Sequence, residues 1–295
     1  MTQILGISLP GLMSQLTVGL VNGAFYALLS MGLAIIFGLL GIVNFAHGAL
    51  YMLGAFCTLV LLEYTGLNFW WSLALAPIIV GLFGAVLERT VIRRIYNLDH
   101  VYGMLLTYGL SLIFTSVVRF RYGSTGLNFD PPEALSGVID LGFMFLPVYR
   151  AWVIVLSLIV CLITWLVVEK TRLGSYLRAA TENPRVTQAL GVNVPFLVTL
   201  TFAFGAGLAA LGGVLAAPVQ QISPLMGDLI IISVFAVVVI GGFGSIAGSI
   251  ITGLCLGLIE GLTKYFYAPA SNTVVFIIMI LVLAIRPYGL FGKPR

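Results

Sequence analysis

The sequence predicts an all-α protein, a polytopic membrane bundle of eight or nine transmembrane helices, and three observations carry that expectation. Hydrophobic residues make up 60% of the 295 and charged ones only 8%, against roughly 25% charge in a soluble domain. The mean hydropathy is +1.13. Apolar runs of about 20 residues, the length that crosses a ~30 Å hydrocarbon layer as a helix, recur along the whole chain. A soluble catalytic or nucleotide-binding domain needs on the order of 100 residues of mixed composition, and no polar stretch here approaches that. Residues 1–295 are therefore expected to form a single transmembrane domain. The amino-terminal segment lacks the basic start and small-residue cleavage site of a signal peptide, so its apolar run is expected to stay as a span.

Runs between charges place spans near 11–40, 46–62, 70–92, 101–118, 147–168, 193–217, 228–241, 246–263 and 272–287. The first would be about 45 Å long as one helix, so it tilts, breaks or continues past the lipid. The pair 228–241 and 246–263 is short, and a re-entrant hairpin there would reduce nine spans to eight. Cys57, Cys161 and Cys255 fall inside apolar runs, too scattered for a metal site or a disulfide framework, and are expected to be small core residues.

Basic residues orient such a chain because cytoplasmic loops are enriched in them. Arg89, Arg93 and Arg94 form one cluster, Lys170, Arg172, Arg178 and Arg185 a second, and Arg286, Lys293 and Arg295 a third. Nine spans put all ten on one side and leave Arg119, Arg121, Arg150 and Lys264 on the other, with Glu63, Asp130, Glu133, Asp140 and Asp228. The carboxyl terminus is then cytoplasmic and the amino terminus outside. The external loop 119–146 reads either as a connector or as a docking surface. In the cytoplasmic loop 169–192, Asn183 followed by Pro184 supplies a helix N-cap with proline at the first helical position, and Gly191 supplies the stop. Val186, Ala189 and Leu190 share one face of that short helix, which must lie on the membrane surface or against a protein partner.

Glycine numbers 34 and is ordered. Ser245, Ser249, Gly253, Gly257 and Gly261 are successive i+4 positions, a stripe of small residues that lets another helix approach closely. Gly205, Ala209 and Gly213 repeat the device, as do Gly19, Gly23 and Ala27. Two stretches break the helical pattern inside apolar sequence, GIVNFAHGAL at 41–50 and IGGFGSIAGS at 240–249, and are expected to be corresponding points of an internal repeat. Interrupted segments of this kind point to a substrate path. Asn44 and His47 lie in the first, either as pathway groups or as helix-to-helix hydrogen bonds. Glu260 is expected to pair with Lys264, four residues on.

Gly242, Gly244 and Ala247 fit a dinucleotide-binding fingerprint, but no strand precedes them and the surroundings are a span. Walker A and HExxH motifs are absent, and His47 and His100 are the only histidines. The chain is expected to be no enzyme, and any driving energy to come from another subunit or an ion gradient.

The segment 19–56, GLVNGAFYALLSMGLAIIFGLLGIVNFAHGALYMLGAF, resembles the amino-terminal signature of bacterial branched-chain amino-acid ABC transporter permeases, with its NFAHG element. LGSYLRAATENPRVTQALGV at 173–192 resembles their cytoplasmic loop, VVVIGGFGSIAGSIITGLCLGLIEGL at 237–262 their late glycine-rich segment, and RPYGLFG at 286–292 their end. Permeases for urea and short amides share NFAHG, so the motifs specify substrate less sharply than family. The resemblance implies an inner-membrane importer subunit working by alternating access. It also implies that the loop docks an ATPase, which assigns Gly174, Arg178, Ala179, Glu182, Ala189 and Gly191 to coupling. Implied partners are a second homologous permease, two cytoplasmic ATP-binding subunits holding ATP and Mg, a periplasmic substrate-binding protein and membrane lipid, with no nucleic acid. Asn44, His47, Gly48, Gly241, Gly242 and Gly244 carry over as candidates for the translocation pathway. The alternative from another class is a self-sufficient secondary transporter or channel, which would need a coupling-ion site or selectivity filter.

Overall fold

The computed structural model describes residues 3–4, 7–41, 43–96, 98–142 and 144–292. After a small antiparallel pair, β1 (Gln3–Ile4) and β2 (Ile7–Ser8), come α1 (Leu9–Leu40), α2 (Ala46–Thr65), α3 (Phe69–Thr90) and α4 (His100–Tyr122). A hairpin of β3 (Val138–Asp140) and β4 (Phe145–Pro147) leads to α5 (Val148–Lys170), α6 (Arg172–Glu182) and α7 (Pro184–Ala189). The chain closes with α8 (Val194–Ala216), α9 (Met226–Gly241), α10 (Ile246–Phe266) and α11 (Ser271–Ile285). All nine apolar runs are helices. Among the described residues eight are long and apolar enough to cross a membrane, the last of them as Ala268–Ile285, α11 with the 3-10 turn that precedes it, and the exception is the 16-residue α9, which at about 24 Å falls short of the hydrocarbon thickness.

Several starts follow from capping chemistry. Asn68, Asp99, Asn193 and Ser245 each accept a backbone N–H of the first turn of the helix they precede, covering a donor the helix cannot use.

Contacts sort the helix ends into two faces. On one, Gly41 lies beside His100 and Gly38 beside Gly244. On the same face Arg93 donates to the Pro195 carbonyl at 3.1 Å, and Leu39 packs on Leu177, Ala180 and Val194. On the other, Leu127 bridges to Ile222 and Arg121 donates to the Tyr64 hydroxyl. The first two basic clusters thus share a face, labelled inner below and the opposite one outer, and Arg286 joins them because the segment after it bonds to Ile240 and Gly241. Lys293 and Arg295 lie outside the described residues. Asp228 departs from expectation: it sits in the first turn of α9, not in an external loop, where Ser111, midway along α4, donates to it at 3.4 Å.

The core gathers where α1, α2 and α8 meet, around Phe25, Leu28, Tyr51 and Phe202. The outer helices are built inside out: Thr107, Ser111 and Thr115 of α4 and Ser157 and Thr164 of α5 point inward, while Leu105, Ile113, Leu162 and Ile163 are exposed. Lipid rewards apolar surface, so packing of small residues has to hold the helices together. The α1/α10 seam does this with backbone against backbone. Gly253 faces Ala27, Gly257 faces Gly19 and Gly23, and Gly261 faces Gln15 and Gly19. Ser30 adds a hydrogen bond to the Ser249 carbonyl at 3.3 Å, and Ser249 donates to the Ser245 carbonyl at 3.0 Å. Gly205 of the second stripe meets Gly32 and Ile36 of α1, and Gly213 meets Tyr51 and Ala55 of α2.

Candidate functional site

The break after α1 begins at Gly41, whose φ of 66° ends the helix in the left-handed region that suits glycine. The chain then climbs back into the bundle. Asn44 accepts from the Ala46 N–H at 3.1 Å, which starts α2, and the Phe45 N–H donates to the Thr107 hydroxyl of α4 at 3.2 Å. His47 Nε2 lies 3.1 Å from the Leu29 carbonyl. A carbonyl only accepts, so Nε2 carries the proton and Nδ1 is the acceptor. Leu29 stands eleven residues before the end of α1, so α2 begins about 16 Å above the inner end of α1. Its first turn meets that of α9, where Gly48 packs directly on Gly227. Asn44 and His47 are both buried, and their Nδ2 and Nδ1 atoms have no hydrogen-bond partner. Both also hold local structure through their other polar atom.

Gly241, Gly242 and Gly244 occupy a different environment. Gly241 packs on Gly248, Gly242 on Gly289 and Gly292, and Gly244 on Gly38. They form a tight turn between α9 and α10 in which backbone touches backbone, and they line neither of the two cavities described below. The two breaks differ in geometry: the first re-enters the bundle, whereas the second turns at its inner edge.

Above the α9 amino terminus, toward the outer face, is a cavity of about 280 Å³ lined by Asn22, Phe25, Tyr26, Gln220, Gln221 and Ser223, with Met226, Leu229 and Ile230 closing it. Tyr26 donates to Glu260 Oε2 at 2.8 Å. This corrects the expected Glu260 to Lys264 bridge. Among the described residues the ion pairs are Arg93 with Glu88 and Arg178 with Glu169. Burial explains the correction: Glu260 sits on the covered face of α10 toward α1, whereas Lys264, in the last turn, is exposed.

At the inner face, α6 is seated and α7 is offered. Gly174 is pressed so closely on the Val168 backbone that no side chain fits, and Leu177 and Ala180 are buried. Asn183 accepts from the Val186 N–H at 3.1 Å and so caps α7, while Gly191, at φ 90°, turns the chain into α8. Arg178, Ala179, Glu182, Ala189 and Gly191 are all exposed, with Arg178 3.5 Å from Glu169. Thr187 is the buried residue of α7, whereas Val186 and Leu190 are exposed. The apolar face of this helix is therefore not covered by its own chain.

A second cavity, of about 520 Å³, separates α7 from the ends of α1 and α8, with Leu39, Arg93, Tyr96, Gln188 and Val198 among its walls. Beside it lies a polar cluster that the sequence reading missed. Glu88 is fully buried and accepts from Arg93 twice at 3.1 Å, from Tyr96 at 2.8 Å and from Thr199 at 2.6 Å. Burial, and then the Glu88 carboxylate, push the Tyr96 phenol up, so it stays a donor at any ordinary pH. An acidic residue in the last turn of an apolar run, five positions before an arginine, was the available signal. The cysteines also need correcting: Cys161 is buried, Cys57 half-buried and Cys255 exposed on the lipid side of α10.

Comparison with known proteins places this sequence in a family. The model of the branched-chain amino acid transport system permease component matches residues 15–285. The high-affinity branched-chain amino acid transport system permease protein LivH of Escherichia coli K12 is 29% identical over 300 residues, covering 96% of each chain. BraD of Pseudomonas aeruginosa, which bears the same description, is 31% identical over 296 residues, again covering 96% of each. The high-affinity branched-chain amino acid transport system permease protein LivM of E. coli K12 is 24% identical over 316 residues, covering 99% of this chain and 74% of its own. No solved structure matches. With nine apolar helices in the expected order among the described residues and a family match over nearly its whole length, this multi-pass membrane chain belongs to the permease family of branched-chain amino acid transport systems.

Proposed function

We propose that the chain is the membrane passage of an ATP-binding-cassette importer for branched-chain amino acids, paired with a second homologous permease, driven by two cytoplasmic ATPases and fed by a periplasmic binding protein. The names of its relatives support the substrate class and the second permease. The observation that carries the rest is the α6/α7 pair. A capped helix whose Val186 and Leu190 are exposed, on a seat fixed by Gly174, Leu177 and Ala180, is what a subunit needs if it is moved from outside rather than by its own chemistry. On this reading the basic face is cytoplasmic, and ATP and Mg belong to the partner that meets Arg178, Ala179, Glu182, Ala189 and Gly191. Affinity for substrate resides in the binding protein, and transport proceeds by alternating access.

The test is reconstitution in liposomes. Labelled leucine uptake is expected only when the second permease, the ATPases, ATP and loaded binding protein are all present. Uptake by this chain alone without ATP would overturn the proposal in favour of a self-sufficient transporter. Replacing Glu182 with lysine or Ala189 with arginine should release the ATPase on copurification while leaving insertion intact. If the ATPase stays bound, the docking assignment fails. Competition on the binding protein by leucine, isoleucine, valine and urea settles the substrate.

A further inference from the structure

The outer cavity carries a chemical asymmetry that points to its occupant. Its α1 wall is Tyr26, whose single hydroxyl proton is given to Glu260 at 2.8 Å. The phenol oxygen is therefore left as an acceptor, with the Ser233 hydroxyl of α9 beside it. Glu260 is 7% exposed, and among the described residues no Lys, Arg or His nitrogen stands within 4.0 Å of it. A carboxylate inside a membrane span with a phenol but no basic group beside it is costly, and such residues mark functional sites. Its field reaches the cavity through the tyrosine it polarises, strengthened by the low dielectric of the surroundings. The facing wall is made of the carboxamides of Gln220 and Gln221 and the hydroxyl of Ser223, with the Asn22 carboxamide one turn before Tyr26 on α1, and Phe25, Leu229 and Ile230 supply an apolar surface. Carboxamides both donate and accept, so they can receive a carboxylate while the Tyr26 end rejects one. A volume of about 280 Å³ lies at the small end for ligand pockets, on the scale of one amino acid rather than a peptide.

We propose that Tyr26 and Glu260 recognise the ammonium group of an α-amino acid in transit, the carboxamide wall receiving its carboxylate and Phe25, Leu229 and Ile230 its aliphatic side chain. This rests on the importer reading and deepens it: the passage selects for a zwitterion, and an uncharged urea or amide would leave Glu260 unanswered.

The test uses the full complex in liposomes, with loaded binding protein outside and ATP inside. Glu260→Gln keeps the shape and the Tyr26 hydrogen bond but removes the charge. It is expected to cut leucine uptake about tenfold, the worth of a charge-assisted hydrogen bond, while assembly and the ATPase stimulation by binding protein persist. Tyr26→Phe should show the same loss, and Glu260→Asp should retain more uptake than Glu260→Gln. A purely structural role predicts the reverse order, since glutamine preserves the contact and aspartate shortens it. Full uptake in Glu260→Gln, or aspartate worse than glutamine, overturns the proposal. Wild-type uptake that collapses when sodium is replaced by choline would assign the pair to a cation instead and overturns it too. Absence of leucine uptake by the wild-type complex removes the importer reading and this inference together, whereas an active wild type with an unimpaired Glu260→Gln variant removes the inference alone.

Discussion

Arg93→Met tests whether the inner ends of α3 and α8 are held by a buried charge cluster. Arg93 gives two hydrogen bonds to Glu88 and one each to the Pro195 carbonyl and the Thr199 hydroxyl. Methionine keeps much of the aliphatic stem and removes all four. Glu88, with no exposed surface, is then a buried carboxylate with only Tyr96 and Thr199 as donors. Breaking a buried pair from one side costs about 3–5 kcal/mol. Arg93 is itself 38% exposed and two neutral donors remain, so the lower end applies, about 3 kcal/mol. At roughly 2–3 °C per kcal/mol for a chain of this size, the unfolding midpoint in detergent should fall by about 6–9 °C at a fixed scan rate. The double variant Glu88→Gln with Arg93→Met removes the stranded charge and should recover more than half of the loss. A single-variant shift under about 2 °C, or additive losses in the double variant, would show that the cluster is not coupled and refute the reasoning.

Two further outcomes follow from the packing. Gly257→Leu drives a side chain into the backbone of Gly19 and Gly23 and should abolish the monodisperse peak in size-exclusion chromatography, while Cys255→Leu two residues away, on the exposed side, should leave it intact; equal behaviour of the two would refute the seam. Cys161→Phe, which overfills a buried position of α5, should lower the unfolding midpoint in detergent by more than Cys255→Phe on the exposed side of α10, and equal shifts would show that α5 does not bury its small-residue face.

Much of this architecture is legible from hydropathy alone, because lipid imposes one rule on every span. The nine runs, the Asn183 cap and the i+4 stripe ending at Gly261 all rest on local periodicity, and each has its counterpart in the helices described. What escapes is long-range. Nothing near residue 47 says that His47 will meet Leu29 well above the inner end of α1. Glu260 has an obvious local partner in Lys264, yet the direction of its side chain brings it to Tyr26, 234 residues away in sequence. Arg93 reads as one more positive charge on a basic face, since its partner Thr199 lies on a helix two loops later. The glycines at 241, 242 and 244 read as a pathway because a broken helix can mark one, and local sequence does not show that Gly38, Gly248, Gly289 and Gly292 pack against that break. The family resemblance supplied substrate class and partners, which no periodicity carries.

The 32-residue α1 has a mechanical consequence. Near its inner end Leu39 packs against the α6 seat; seventeen residues earlier Asn22 lines the outer cavity, about 26 Å away along the axis. No proline falls between these two positions and no break interrupts the helix, so α1 acts as a lever arm. A tilt of about 5° imposed at the α6 seat would displace Asn22 by about 2 Å, close to the width of a hydrogen-bonding shell, so on the importer reading a movement of the α6/α7 pair would be felt at the wall of the outer cavity.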